Sequence, residues 1–230
     1  MKPFCEMVDF HSHILPGVDH GSDSLQTTLF QLKSAHKNGV CKIISTSHFY
    51  PTAHNVDTFI KKRDEAFETI KPFIKEPMEI KLGAEVLLCS GIENLAGIEK
   101  LFISGTKTLL LELPLLNFDD SYRVAVKKLL EKGINVVIAH AERYSHETIE
   151  LLLSLGVKLQ LNSSVVCRFR GRRNARIWEW INSGAVVAIG SDIHGKDDRA
   201  YRKFAKASSK VSKRTLAVLN ESCKIWENAK

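Results

Sequence analysis

The chain lacks the features that would take it out of the ordinary globular class. No apolar run in its 230 residues approaches the ~20 needed to span a bilayer. Its five cysteines, at 5, 41, 89, 167 and 223, are odd in number and show no paired spacing. That argues against a disulfide framework and for a reduced, cytoplasmic protein. The opening MKPFCEMVDF is too short and too acidic to read as a secretory signal. Repeats, low-complexity tracts and linkers are also missing. Residues 1–230 therefore read as one domain, large enough to bury a substantial core.

Charge is present but unevenly spread. Residues 1–160 hold 18 Lys+Arg against 20 Asp+Glu, whereas residues 161–230 hold 15 against 6. A basic C-terminal third suits nucleic acid, an anionic membrane surface, or an acidic or phosphorylated protein. A solvated helical surface explains it equally well.

Short apolar runs alternate with amphipathic stretches. Strands are predicted at 4–10, 41–46, 79–84, 108–113, 135–139, 158–161 and 185–189. Helices are predicted at 24–38, 56–74, 121–132, 146–155 and 174–183, with one or two more after Ala200. In that last segment Leu216, Leu219, Ile225 and Trp226 have helical core spacing. Glycines in NGV (38–40), KGI (132–134), LGV (155–157) and SGA (183–185) fit left-handed helix ends just before the next strand. Seven strands separated by helices imply a parallel α/β fold, and a (β/α) barrel before an open sheet. In such barrels the loops after the strands build the active site.

Those strand ends are rich in ligand chemistry. DFHSHILPGVDHG (9–21) carries His11, His13, Asp19 and His20, and STSHFYP carries His48. Glu85 follows in LGAEV, Glu112 in LELP, His140, Glu142 and Arg143 in AHAERY, and Asp192 and His194 in SDIHG. Six of the nine histidines lie there; only His36, His54 and His146 do not. One histidine after a strand is usually a hydrogen-bonded loop residue. A set that converges on one mouth is instead the donor set of Zn, Mn or Fe. Residues two apart on a strand share a side, so His11 with His13, and Asp192 with His194, can reach one ion. So many donors suffice for two or three cations, which favours phosphoester hydrolysis, with Arg143 and Arg199 on the phosphate oxygens.

These motifs resemble the PHP (polymerase and histidinol phosphatase) superfamily over about residues 8–200. More closely, HILPG, AHAERY, LQLNSS and GSDIHG are similar to the bacterial metal-dependent protein-tyrosine phosphatases of capsule and exopolysaccharide loci. The resemblance implies a distorted (β/α)7 TIM-like barrel and a centre of two or three divalent ions. Manganese is the implied ion, with Fe or Zn as alternatives. It implies His11, His13, His20, His48, Glu85, Glu112, His140, Asp192 and His194 as ligands, and Arg143 and Arg199 as catalytic phosphate contacts. Where those phosphatases read VDDG this chain reads VDHG, which leaves Asp19 as an alternative to His20. The implied reaction is attack of a metal-activated hydroxide on phosphotyrosine. The implied substrate is the tyrosine-rich tail of an autophosphorylating kinase that regulates polysaccharide synthesis.

Three rival readings compete with this one. Cys167 and Arg173 meet the C-x5-R pattern of cysteine-dependent phosphatases, in which a thiolate attacks. Another PHP phosphoesterase, acting on histidinol phosphate or nucleic acid, would use the same metals. The basic third suits nucleic acid, although Phe169, Trp178 and Trp180 look like helix core positions and not stacking platforms. A metal-stabilised binding module without catalysis is the third.

Overall fold

The computed structural model describes residues 8–115, 118–167, 172–214 and 216–227. Cys5, the start of the first predicted strand, Phe169, and the side chains of Arg173, Leu216, Leu219 and Cys223 lie outside the described residues.

The chain alternates strand and helix: β1 (Val8–Ser12), α1 (Leu25–Lys37), β2 (Lys42–Ser45), β3 (His48–Phe49), α2 (Val56–Ile70), β4 (Glu79–Leu82), β5 (Glu85–Leu87) and β6 (Thr108–Glu112). It continues with α3 (Asp120–Glu131), β7 (Asn135–Ile138), α4 (His146–Leu155), β8 (Lys158–Asn162), the short α5 (Ser163–Val166), α6 (Arg172–Asn182), β9 (Val186–Gly190), α7 (Ala200–Arg214) and α8 (Leu216–Glu227). The predicted strands 41–46 and 79–84 end at Ser45 and Leu82, and each is followed after two residues by a short strand that was not predicted, β3 and β5; α5 also carried no sequence signal. None of the described helices is long and apolar enough to cross a membrane.

Helix boundaries follow local chemistry. Ser24, Asn55 and Ser145 each accept a backbone N–H from three residues on, which satisfies donors that the first turn leaves unpaired. Gly39, Gly133, Gly156 and Gly184 all take positive φ where the chain leaves a helix for the next strand.

All strand ladders are parallel. Among the described residues they form a three-stranded sheet, β1-β2-β4, and a six-stranded sheet, β3-β5-β6-β7-β8-β9. The two meet where Asp192 N–H donates to His11 O (2.8 Å) and Ser191 N–H to Asp9 Oδ1 (2.7 Å). The parallel α/β fold is therefore as expected, although the ladders form two sheets and not one closed ring.

The larger core lies where the helices cover the sheets. It includes Leu32, Ile43, Phe49, Val86, Leu109, Leu129, Ile138, Leu159, Ile181 and Phe204. A smaller core takes the opposite-facing residues Val8, Phe10, Ile44, Leu110, Val137 and Val187, and Trp226 of α8 closes it. Trp180 is buried and Trp178 packs partly buried against the larger core, in keeping with the helix core positions expected of them.

Candidate metal centre

Parallel register brings the ligand-type residues side by side. His48 pairs with Glu85 across β3 and β5, and Leu87 pairs with Glu112 across β5 and β6. His11, His13, Glu112, His140, Asp192 and His194 sit at or beyond the carboxyl ends of β1, β6, β7 and β9, whereas His48 and Glu85 open the short strands β3 and β5 that follow the ends of β2 and β4. Glu85 is 1 % exposed and forms the hub. Its Oε2 lies 3.1 Å from His11 Nε2, 3.3 Å from His13 Nε2 and 3.0 Å from His48 Nδ1; its Oε1 lies 2.8 Å from His140 Nε2. Glu112 stands further out, 3.9 Å from His48 Nδ1 and 3.6 Å from His140 Nε2. Asp192 Oδ1 is 3.8 Å from His11 Nε2 and 3.5 Å from His13 Nε2. The His194 ring stacks on His13 at 4.2 Å.

Three overlapping sets could each hold a cation, their donor atoms lying within 4.8 Å of one another: His13/His48/His194, His11/His13/Asp192 and His48/Glu85/Glu112. The buried atoms His48 Nδ1, Glu85 Oε2 and His194 Nε2 make no well-aligned hydrogen bond, although the first two stand 3.0 Å apart. A buried polar atom left unsatisfied costs about 1–3 kcal/mol. Three of them, aimed into one cluster of acceptors and imidazoles, fit a divalent cation as the missing partner.

Backbone strain points the same way. His140 (φ 31°) and Asp192 (φ 51°) are the non-glycine residues with positive φ among those described, and both are candidate ligands. Such outliers cost of order 1–3 kcal/mol and cluster at functional sites. Glycine is needed where the elements crowd together. A Cβ on Gly21 would lie 2.1 Å from His13 Cβ, and one on Gly190 2.4 Å from His11 Cβ.

Electrostatics follows from this packing. Burial pushes the Glu85 carboxyl up, but the facing His11, His13 and His140 outweigh it and hold it well below the usual range. Burial opposes charging of His11 and His13, yet carboxylate neighbours (Glu85 and Asp192 at His11; Asp19 and Glu85 at His13) raise both. His194 has no comparable compensation, and burial with the neighbouring His13 lowers it to about 4. Burial and Glu85 raise Glu112.

The remaining predicted residues separate in space. Asp19 is fully engaged, its Oδ2 with His13 Nδ1 (2.8 Å) and His48 N–H (2.9 Å) and its Oδ1 with Gly21 N–H (2.8 Å). His20 is exposed and stacks on His48 and His194 at 4.7 Å. His20, His48, Tyr50, Glu112, His140, Arg143, Asp192 and His194 line one open cleft of about 450 Å³. Arg143 stands at its mouth, its Nη2 2.5 Å from Asp192 Oδ2. Arg199 does not line the cleft; it is 72 % exposed beside Asp197. The Cys167 thiol donates to Lys203 O (2.9 Å), and burial pushes it up, so it is a neutral donor and not a thiolate.

Other residues at the centre carried little sequence signal. Tyr144 Oη accepts Leu113 N–H (3.0 Å) and lies 3.2 Å from His140 Nδ1. Asp9, pushed up to about 6 by burial, accepts Ser191 N–H. Gln160 and Asn162 of β8 sit buried beside His11, His140 and Asp192. The LQLNSS stretch, matched as a whole with no role given to its amides, was the hint.

Fold and site together define a class: a parallel α/β protein whose strand ends gather imidazoles and carboxylates able to hold divalent cations. The chain belongs to the CpsB/CapC family of capsular polysaccharide synthesis, whose sequence profile matches residues 7–228. It is 27 % identical over 209 residues to the tyrosine-protein phosphatase CpsB of Streptococcus agalactiae serotype V, covering 84 % of this chain and 85 % of that one. It is 28 % identical over 211 residues to the tyrosine-protein phosphatase YwqE of Bacillus subtilis, covering 85 % and 80 %. One solved chain comes from work on YwqE of Bacillus subtilis and CpsB of Streptococcus pneumoniae, described as metal-dependent tyrosine phosphatases. It superposes with a TM-score of 0.74 at 22 % identity, over 97 % of this chain and 92 % of that one. At that identity the likeness carries the fold.

Proposed function

We propose that this chain is a single-domain, metal-dependent protein-tyrosine phosphatase. The observation that carries the reading is the convergence of His11, His13, His48 and His140 on buried Glu85, with Arg143 at the cleft mouth. The names of its CpsB and YwqE relatives supply the phosphotyrosine.

His11, His13, His20, His48, Glu85, Glu112, His140, Asp192 and His194 are assigned to hold two or three divalent ions. Manganese is our assignment, and iron or zinc would accept the same donors. When bound, such cations supply Lewis acidity, activating water at neutral pH and neutralising phosphoryl charge. The protein's own groups do the rest. Arg143, anchored through one nitrogen to Asp192, offers its remaining N–H donors to phosphoryl oxygens. Arg199 is assigned the outer phosphate contact. Asp19 orients His13 and is not itself assigned as a ligand. Tyr50 gives the cleft an aromatic wall, its ring 5.5 Å from His48 and 15° from parallel. A substrate phenol, with a pKa of about 10, leaves without a strong general acid.

The same reading extends the fold to a distorted (β/α)7 barrel. β2 with β3, and β4 with β5, then count as single interrupted strands, and the β1–β9 hydrogen bonds close the ring. Residues of the smaller core would fill its interior. We place the protein in the cytoplasm, acting on the phosphorylated tyrosine-rich tail of a kinase that regulates capsular or exopolysaccharide synthesis. The basic residues of 161–230 suit such an anionic substrate.

The test is hydrolysis of a phosphotyrosine peptide by metal-stripped protein with and without Mn²⁺. Restored activity that vanishes in His140→Ala and survives in Cys167→Ser is expected. Chelator-insensitive turnover lost with Cys167 would overturn the reading. Turnover of histidinol phosphate or DNA, but not of the peptide, would replace the substrate.

A further inference from the structure

β8 contributes no candidate ligand, yet it runs between the strands that do. Gln160 and Asn162 are two residues apart and share one side of it. Gln160 Oε1 accepts His140 N–H at 2.7 Å and lies 3.0 Å from His11 Nδ1; its Nε2 donates to Asn162 Oδ1 at 3.1 Å. Asn162 Nδ2 in turn donates to Asp192 Oδ2 at 2.8 Å.

The direction of this chain is forced from both ends. An ionised carboxylate only accepts, so Asn162 must present its NH₂ to Asp192 and its carbonyl to Gln160. Gln160 must then turn its own NH₂ to Asn162 and its carbonyl to His11. The His140 backbone N–H, which only donates, requires the same orientation. A carbonyl oxygen cannot donate, so the proton between Gln160 and His11 belongs to His11 Nδ1. Nε2, 3.0 Å from His13 Nε2 and 3.1 Å from Glu85 Oε2, is then the ring atom whose lone pair a bound cation would take.

We propose that Gln160 and Asn162 are positioning residues that fix the His11 tautomer and hold His11, His140 and Asp192 in register for a divalent cation. Such outer partners set ligand tautomer and orientation in metal sites. β9 is shaped around the bridge, because a Cβ on Gly190 would lie 2.8 Å from Gln160 Nε2. The inference rests on the metal reading above but not on the identity of the substrate.

The experiment is Mn²⁺ affinity by competition with a fluorescent chelator, for wild type, Gln160→Leu, Gln160→Glu and Asn162→Leu. Thermal melts of the stripped proteins report folding alongside. A second readout is the ¹⁵N spectrum of the wild type loaded with diamagnetic Zn²⁺, which distinguishes histidine tautomers. We expect Gln160→Leu to weaken Mn²⁺ binding about 10- to 100-fold. Gln160→Glu keeps an acceptor for His11 Nδ1–H but loses the donor to Asn162 Oδ1, so it recovers part of the affinity, which a merely structural role would not predict. The expected spectrum has His11 protonated at Nδ1. Wild-type affinity in a folded Gln160→Leu, or an Nε2-protonated His11, would overturn the proposal. So would a wild type that takes up no Mn²⁺. Should Gln160→Leu fail to fold, Asn162→Leu and the spectrum decide. Failure on the phosphotyrosine peptide, with these affinity differences intact, would count against the substrate reading alone.

Discussion

Gly190→Ala isolates the contact on which the site depends. The added Cβ would lie 2.4 Å from His11 Cβ and 3.2 Å from His11 Cα, on the neighbouring strand β1. Restoring ordinary carbon contact at ~3.5 Å requires β9 and β1 to part by roughly 1 Å. That displacement would break the 2.8 Å bond from Asp192 N–H to His11 O, which joins the two sheets at the ligands. Overpacking costs about 1–3 kcal/mol, and a buried donor left unpaired another ~1–3 kcal/mol. We expect a loss of about 3 kcal/mol or more, which for a chain of this size lowers Tm by roughly 6–12 °C. Gly133→Ala is the control. Gly133 has φ +74 and nothing within 4 Å of an added Cβ, so only the left-handed penalty of ~1–2 kcal/mol applies. Calorimetry of the metal-free proteins measures both, and Mn²⁺ titration should find weakened binding in Gly190→Ala alone. A Gly190→Ala protein as stable as Gly133→Ala, with wild-type Mn²⁺ affinity, would refute the close-approach argument.

Two further outcomes follow from separate parts of the structure. Glu93 is buried and accepts Lys128 Nζ at 2.9 Å, which holds its carboxyl below the usual range. A depressed folded pKa stabilises above the ordinary Glu value and is lost as pH falls through the depressed one. Urea midpoints compared across the acid range should therefore fall more steeply in wild type than in Glu93→Gln; parallel declines would remove the pair from the account. At the cleft, Tyr50→Leu should raise KM for an aryl phosphate by about 2- to 10-fold, the worth of one aromatic pair. An alkyl phosphate should be unaffected and Tyr50→Phe should behave as wild type, whereas equal effects on both substrates would deny the ring a role in recognition.

The alternation of strand and helix, the glycines at helix ends and the placing of histidine and carboxylate after strands were legible in the sequence. Each is local: periodicity, left-handed caps and residue type need only a few neighbouring positions. Glu85 could be named as a ligand candidate from LGAEV, but not as the hub on which four imidazoles from β1, β3 and the β7 end converge. For the adjacent Asp19 and His20, the resemblance put His20 first with Asp19 as the alternative, and nothing local in the sequence could test that order. In the fold one carboxylate is consumed by three hydrogen-bond donors while its neighbour's ring stacks at the cleft rim. Arg143 and Arg199 looked alike as cations beside ligands, yet only Arg143 lines the cleft. Gln160 and Asn162 stood in the LQLNSS stretch with no role assigned to either, because an amide's role depends on which distant atoms meet its two ends. Sequence alone determined which chemistry was available and near which strand. Tertiary structure decided which atoms face one another, because hydrogen-bond direction and close contact are set between strands far apart in the chain.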